Sequence, residues 1–449
     1  MPNSIVSTTT APETPNPSYS LWNDSAFWGM TVAQFLGAFN DNVCKQLAML
    51  ICLQETLEDK QASATAVFAI PFLLFSGTAG YLADRISKSW IVQACKVAEV
   101  GIQATALLLA LFVGFSGGGL TTVMLAVLFL MGAHSAFFGP SKYGVLPEML
   151  PKDALPKANG VFLATTFLAI ILGWVVAGAL MDVPGSLPFR TAMACTAGVG
   201  FAGAGWWASR YLRPTPPAQP TLRFSPRQFA VDPATWRVVG MDRLLLGVLI
   251  ANGTFFLCGG VVHPAINAFG IQQIETSSSV SSGLLSCVAF GIAGGCAIAG
   301  RWCGARANLA VSKIGAGVIV VCLGLLYLTP VAPNPRNLWI GISAGLLLGV
   351  GIGAGLLAVP LQVVLQTRPP AEHRGRILAA LSFFNWIGVL ISAAYYKLCL
   401  EIRDRFDLPP SFVFAAIAVV MLGVAVLLPS RVVERKESLD YSRDMVTES

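Results

Sequence analysis

Residues 26–53, AFWGMTVAQFLGAFNDNVCKQLAMLICL, form an apolar run broken at its centre by Asn40-Asp41-Asn42, with Lys45 one helical turn further on. At about 1.5 Å per residue, a helix of this length exceeds the roughly 30 Å hydrocarbon core of a bilayer. A central charge costs roughly 2.5–3.5 kcal/mol on insertion scales, so such groups persist where they face protein or a water-filled cavity. The run predicts a membrane span that turns polar groups toward a protein interior.

The rest of the chain agrees. Of its 449 residues 55% are hydrophobic and 12% charged, about half the charged share of an ordinary soluble domain. Eleven further apolar runs follow, near 64–83, 89–114, 119–139, 158–181, 189–209, 240–262, 280–299, 312–330, 338–361, 377–399 and 411–429. The expectation is an all-α membrane protein with 12 transmembrane helices. Residues 1–25 are polar and lack Lys and Arg, so they read as a disordered cytoplasmic tail rather than a secretory signal. The ten Cys lie in or beside apolar runs without a CxxC pair, and the three His are scattered. They read as packing residues, with no metal site and no cofactor.

The longest connection, Arg210 to Arg237, is basic and Pro-rich and divides the runs six and six. Gly80 lies near the end of the second run and Gly300 just past the eighth, and Pro140 and Pro360 lie at the ends of the fourth and tenth, each pair 220 residues apart. This predicts a duplication: a six-helix half at 26–209, a linker at 210–239, a second half at 240–430 and a tail at 431–449. Two parallel halves with a substrate site between them near mid-membrane is a secondary-transporter architecture.

Gly80-Tyr81-Leu82-Ala83-Asp84-Arg85-Ile86-Ser87-Lys88 lies between the second and third runs. It resembles the loop signature G-x-L-a-D-R-x-g-R/K of the major facilitator superfamily, which implies that family's fold of two pseudo-symmetric six-helix halves. As a gate, Gly80 would allow close packing, Asp84 would accept from a helix N-terminus, and Arg85 would pair with a carboxylate; Lys88 closes the motif. The matching loop keeps Gly300 and Arg301 but has no Asp, so any gate is asymmetric.

Residues 33–42, AQFLGAFNDN, resemble the A-Q-F-x-x-A-F-x-D-N start of the lysophospholipid transporter family, and of the transporter domain fused to 2-acyl-lysophospholipid acyltransferases. Pro140-Ser141-Lys142-Tyr143-Gly144-Val145-Leu146-Pro147-Glu148 is similar to its P-x-K-Y-G-x-L-x-E, and Lys157-Ala158-Asn159-Gly160 to its K-A-N-G. Val359-Pro360-Leu361-Gln362, with the segment from Arg374 through Arg376 to Ala380, resembles V-P-L-N…R-G-R-x-L-A-A. Gln362 stands where the family has Asn, and Gly259 where some members carry an Arg. No Lys or Arg occurs between Arg243 and Arg301. The chain is expected to end after the twelfth span, with no acyltransferase or acyl-carrier-protein ligase domain.

The resemblance implies a flippase moving lysophosphatidylethanolamine-like lipids across the inner membrane toward cytoplasmic re-acylation. Asp41 would hold the ethanolamine ammonium or a coupling cation, Na+ or H+, and Lys45 or Lys96 the phosphate. Asn40, Asn42, Glu99 and Asn385 complete the candidate site. Each has a plainer reading. Asp41 and Lys45 are spaced i, i+4 and suit a structural ion pair; Lys96 and Glu99, at i, i+3, read first as an internal pair. Lys142 and Glu148 suit a solvated surface equally well, His134 reads as packing, and Asn385 and Trp386 suit any amphipathic helix. Two other functions stay open: a facilitator-type exporter of another amphiphile or drug, and a non-transporting membrane partner of a separate acyltransferase. With no Ser/His/Asp triad, H-x4-D box or metal cluster outside the spans, an enzyme is not expected. Nor is a nucleic-acid partner.

Lys and Arg give the orientation. Of 29, 21 fall in segments on the side of the termini and the long linker, six on the opposite side, and Lys45 and Lys96 within spans. The positive-inside rule then makes both termini cytoplasmic. In a cysteine-free background, single cysteines at Arg227 and Arg336 should label from opposite faces of sealed cells. Arg336→Cys reacts with an impermeant maleimide directly, and Arg227→Cys only after permeabilisation; the reverse pattern overturns the assignment.

Overall fold

A polypeptide in hydrocarbon must satisfy its backbone internally, and helices do this within one segment. The computed structural model describes residues 20–54, 59–116, 119–151, 154–217, 220–221, 240, 242–303, 307–367, 374–429 and 432–433. Among them run twelve long helices. The first half holds α1 (Ser25–Gln54), α2 (Gln61–Arg85), α3 (Lys88–Ser116), α4 (Leu120–Gly144), α5 (Leu155–Met181) and α6 (Leu187–Ser209). The second holds α7 (Arg243–Ala268), α8 (Ser278–Cys303), α9 (Leu309–Tyr327), α10 (Arg336–Thr367), α11 (Arg374–Arg405) and α12 (Phe412–Leu427). One extra turn, Leu146–Met149, follows α4, and a π-helical turn, Phe269–Gln273, extends α7. Ala307–Asn308 pairs antiparallel with Val432–Val433.

Local chemistry sets several starts. Asp24 Oδ1 accepts from the Ala26 and Phe27 amides at 2.9 and 3.2 Å ahead of α1. Asp242 does the same for Leu244 and Leu245 at α7, and Asn308 for Ala310 at α9. Such caps satisfy amides that lack an intrahelical partner. α5 and α6 each open with a proline in the first turn, where the missing N–H costs nothing. Pro140 and Pro360, 220 residues apart, both lie inside helices, α4 and α10.

The fold is that of two pseudo-symmetric six-helix halves. In the first half α1 packs on α5 and α6, α2 on α4, and α3 on α6; in the second α7 packs on α11, α8 on α10, and α9 on α12. The halves meet mainly through α5 against α8 and α2 against α11. These two contacts are images of each other when the halves are exchanged. Apolar cores fill each half, around Met49, Leu50 and Leu128 in one and Leu249, Leu323 and Leu361 in the other.

Among the described residues nine helices are long and apolar enough to cross a membrane. The three others are α1, α6 and α12. The polar cluster lowers the hydropathy of α1, and α12 has only 16 residues. α6 carries Arg190 in its first turn and is rich in Gly and Ala.

The tightest helix contact is α8 against α10, and glycine makes it. A Cβ on Gly291 would strike the Leu348 carbonyl oxygen, and one on Gly351 would lie 2.8 Å from Gly291 Cα. Without a large hydrophobic drive between helices in lipid, such backbone contact supplies the packing. Gly294 faces open space instead. Gly351→Val should therefore cost about 1–3 kcal/mol by overpacking, read as a lower melting temperature in detergent, while Gly294→Ala leaves it unchanged. Equal behaviour of the two variants would contradict this packing.

Candidate functional site

Successive residues of a helix point about 100° apart, so Asn40, Asp41 and Asn42 cannot serve one surface. Asn40 turns into the first half. Its Nδ2 donates to Glu99 Oε1 and to the Gly198 carbonyl, both at 3.0 Å. Glu99 Oε2 lies 2.7 Å from Lys96 Nζ, and neither side chain is exposed to solvent. His134 Nε2 stands 3.9 Å from the same oxygen, its ring stacked on Phe138. Gly37 makes room: a Cβ there would collide with Lys96 Nζ. This is an internal ion pair joining α1, α3, α4 and α6, away from the surface between the halves.

Asp41 points to α4 and accepts from the Ser135 hydroxyl through Oδ2. Its Oδ1 is buried without a hydrogen-bond partner. Asn42 turns back to its own helix, donating to the Ala38 carbonyl at 2.7 Å, where Gly173 of α5 lets it pass. Lys45 does not pair with Asp41. Its ammonium lies 5.2 Å from the centre of the Phe68 ring on α2, a cation–π contact. Phe68 and Phe72 reach across to Trp386 of α11, the latter stacked at 3.7 Å and 12°. Lys45 thus stands beside an aromatic cluster shared by both halves. Asn385 binds Asn252 of α7 at 2.6 Å within the second half.

One turn past Asn42 is Gln46, which the sequence reading passed over. Its Nε2 donates to Asn267 Oδ1 at 2.9 Å and to the Ser282 hydroxyl at 3.0 Å, and its Oε1 sits 2.7 Å from His263 Nε2. Asn267 donates onward to Gln61 Oε1 at 2.9 Å, and Gln61 to the Pro264 carbonyl at 3.2 Å. Gln54 binds Ser278 at 2.9 Å. Asp59 accepts from the Tyr396 hydroxyl at 2.5 Å, and Asp182 from the Ser278 and Ser279 amides at 3.0 and 2.8 Å. All these bonds join the two halves. All lie toward the end away from the linker, at the close of α1, α5, α7 and α11 and the opening of α2 and α8.

The two carboxylates of this seal differ. Burial pushes the Asp59 carboxyl above its usual range, with bonds from Tyr396 and Gln61 opposing. Burial acts the same way on Asp182, but there hydrogen bonds from Ser279, Ser277 and Ser278 outweigh it and hold the group below its usual range. Such polar residues were legible only as isolated Gln, Asn and Asp at the ends of apolar runs.

The loop motifs meet at the opposite end. Lys88 pairs with Glu148. A Cβ on Gly144 would lie 2.8 Å from Lys88 Cε, so this glycine leaves the lysine's path clear. Neither Glu148 nor Lys142 is merely solvated: Lys142 is buried, with its ammonium 5.2 and 5.6 Å from the Tyr143 and Phe162 rings. Two expectations change. A Cβ at Gly80 meets nothing within 4 Å, so no close packing depends on it here. Arg85 pairs with the Tyr81 hydroxyl of its own helix rather than with a carboxylate. Asp84, Tyr143, Asn159 and Arg301 are exposed and Pro360 is buried. Gly160 lies early in α5. Arg374 and Arg376 open α11, but their side chains lie outside the described residues.

The chain resembles known proteins in sequence and in fold. The lysophospholipid transporter LplT of Enterobacter sp. (strain 638) is 28% identical over 406 residues, covering 87% of this chain and 92% of that protein. Its namesake in Salmonella typhimurium is 26% identical over 408 residues, covering 85% and 89%. Among solved structures, a POT family transporter in complex with 5-aminolevulinic acid superposes with a TM-score of 0.67 at 11% identity, covering 89% of this chain and 95% of that one. The nucleoside transporter NupG gives 0.66 at 12%, covering 89% and 98%. The family model described as Major Facilitator Superfamily matches residues 27–393. The chain is a membrane transporter and belongs to the major facilitator superfamily.

Proposed function

We propose that this transporter carries lysophospholipids, lysophosphatidylethanolamine-like ones foremost, across the bacterial inner membrane by alternating access, with both termini cytoplasmic. The observation that carries the reading is that Asp41 and Lys45, one turn apart, do not neutralise each other. One keeps a buried carboxylate oxygen without a partner; the other rests on an aromatic ring. Opposite charges a helical turn apart complement a zwitterion, with the ammonium at Asp41 and the phosphate at Lys45. Phe68, Phe72 and Trp386 offer the acyl chain an apolar wall. Lys96, already matched by Glu99, is left to hold the frame. The names and 26–28% identity of the relatives support the substrate class.

In this reading the polar seal closes the periplasmic end, so the site opens to the cytoplasm. The Gly80–Lys88 loop, with Asp84 and Arg85, and Arg301 on the second half form the cytoplasmic gate that closes in the opposite state. A coupling cation, Na+ or H+, would share Asp41 Oδ1, and re-acylation would fall to a separate acyltransferase.

The test is head-group-resolved lysolipid uptake into proteoliposomes, with and without ion gradients. Asp41→Asn and Lys45→Gln should each lower uptake at least about tenfold, the loss of one charge-assisted contact, at unchanged protein yield. Wild-type uptake by Asp41→Asn would falsify the site. Competition by a different amphiphile, with no lysolipid flux, would favour an exporter. Activity of an associated acyltransferase unaffected by Asp41→Asn, without any flux, would favour a docking role.

A further inference from the structure

A groove of about 530 Å³ lies between α7 and α12 at their linker-side ends. Its walls include Gly247, Ile250 and Thr254 of α7 and Gly423 and Leu427 of α12, with Arg243 at its mouth. A Cβ on Gly247 or on Gly423 would meet nothing within 4 Å, so the groove is the space that two absent side chains leave. Thr254 spends its hydroxyl on the Ile250 carbonyl at 2.9 Å, which leaves the wall apolar.

The length of the groove fits one leaflet. Arg243 to Thr254 spans about 16 Å of helix, roughly half of a 30 Å hydrocarbon core. The cation at the mouth is available: Arg243 is exposed. The neighbouring Asp242 gives Oδ1 to the Leu244 and Leu245 amides. A guanidinium at head-group level above an apolar slot of leaflet depth matches a phosphate with an acyl chain beneath it.

We infer that this groove is a binding site for a resident anionic phospholipid of the leaflet at the linker-side end. The site is separate from Asp41 and Lys45. Because α7 also carries His263 and Asn267, the lipid braces the helix on which the seal depends.

Native mass spectrometry of the full chain in mild detergent tests this, with phosphatidylglycerol, phosphatidylcholine and lysophosphatidylethanolamine as probes. One phosphatidylglycerol should be retained about five- to tenfold better than phosphatidylcholine. Arg243→Gln should abolish that preference. Gly247→Leu, which projects into open space and so leaves folding intact, should abolish retention. Three results would overturn the site: equal retention of the two phospholipids, wild-type retention by both variants, or displacement by an equal concentration of lysophosphatidylethanolamine. The last would assign the groove to transported lipid instead.

Discussion

Gln46 is a carboxamide within an apolar helix whose partners, His263, Asn267 and Ser282, all belong to the other half of the molecule. An amide left unpaired in an apolar setting costs about 1–3 kcal/mol, so separating this residue from its partners without replacing them is penalised. Gln61 extends the network through Asn267, and Tyr396 through Asp59. Parting the halves here breaks several such bonds together. On the proposed alternating-access reading, water or a polar head group entering the gap would replace them, tying the opening of this end to what occupies the space between the halves.

The neighbouring residues of α1 show how one helix serves several surfaces. Asn40 completes the shell of the buried Lys96–Glu99 pair, Asp41 meets α4, Lys45 meets the aromatic cluster, and Gln46 crosses to the second half. A buried ion pair is weak evidence of net stability, but losing one partner strands a charge in low dielectric. Without Glu99, Lys96 would lose its buried partner.

Much of the fold was legible because hydrocarbon imposes a simple rule. Apolar runs of spanning length, a basic linker and a 220-residue repeat lead to two six-helix halves. Two helices overrun their apolar runs at the linker-side end, α10 continuing to Thr367 and α11 beginning at Arg374, because a helix persists where its residues turn polar. The candidate site was only partly legible. Consecutive polar residues read as one cluster, while helical geometry sends them to different neighbours. Lys96 and Glu99 read as a pair from spacing alone, and are one. Gln46, Asn267, Gln61 and Tyr396 carry no local signal, since their meaning lies in contacts between residues more than 200 positions apart.

The central claim is that the end joined by Gln46 must open for transport. Gln54→Cys with Ser278→Cys, in a background without the ten native cysteines, places two thiols where a hydrogen bond of 2.9 Å now joins α1 to α8. Lysophospholipid flux in proteoliposomes is then measured before and after oxidation. Flux should vanish in the cross-linked protein and return on reduction. Undiminished flux through the cross-linked protein would contradict the account.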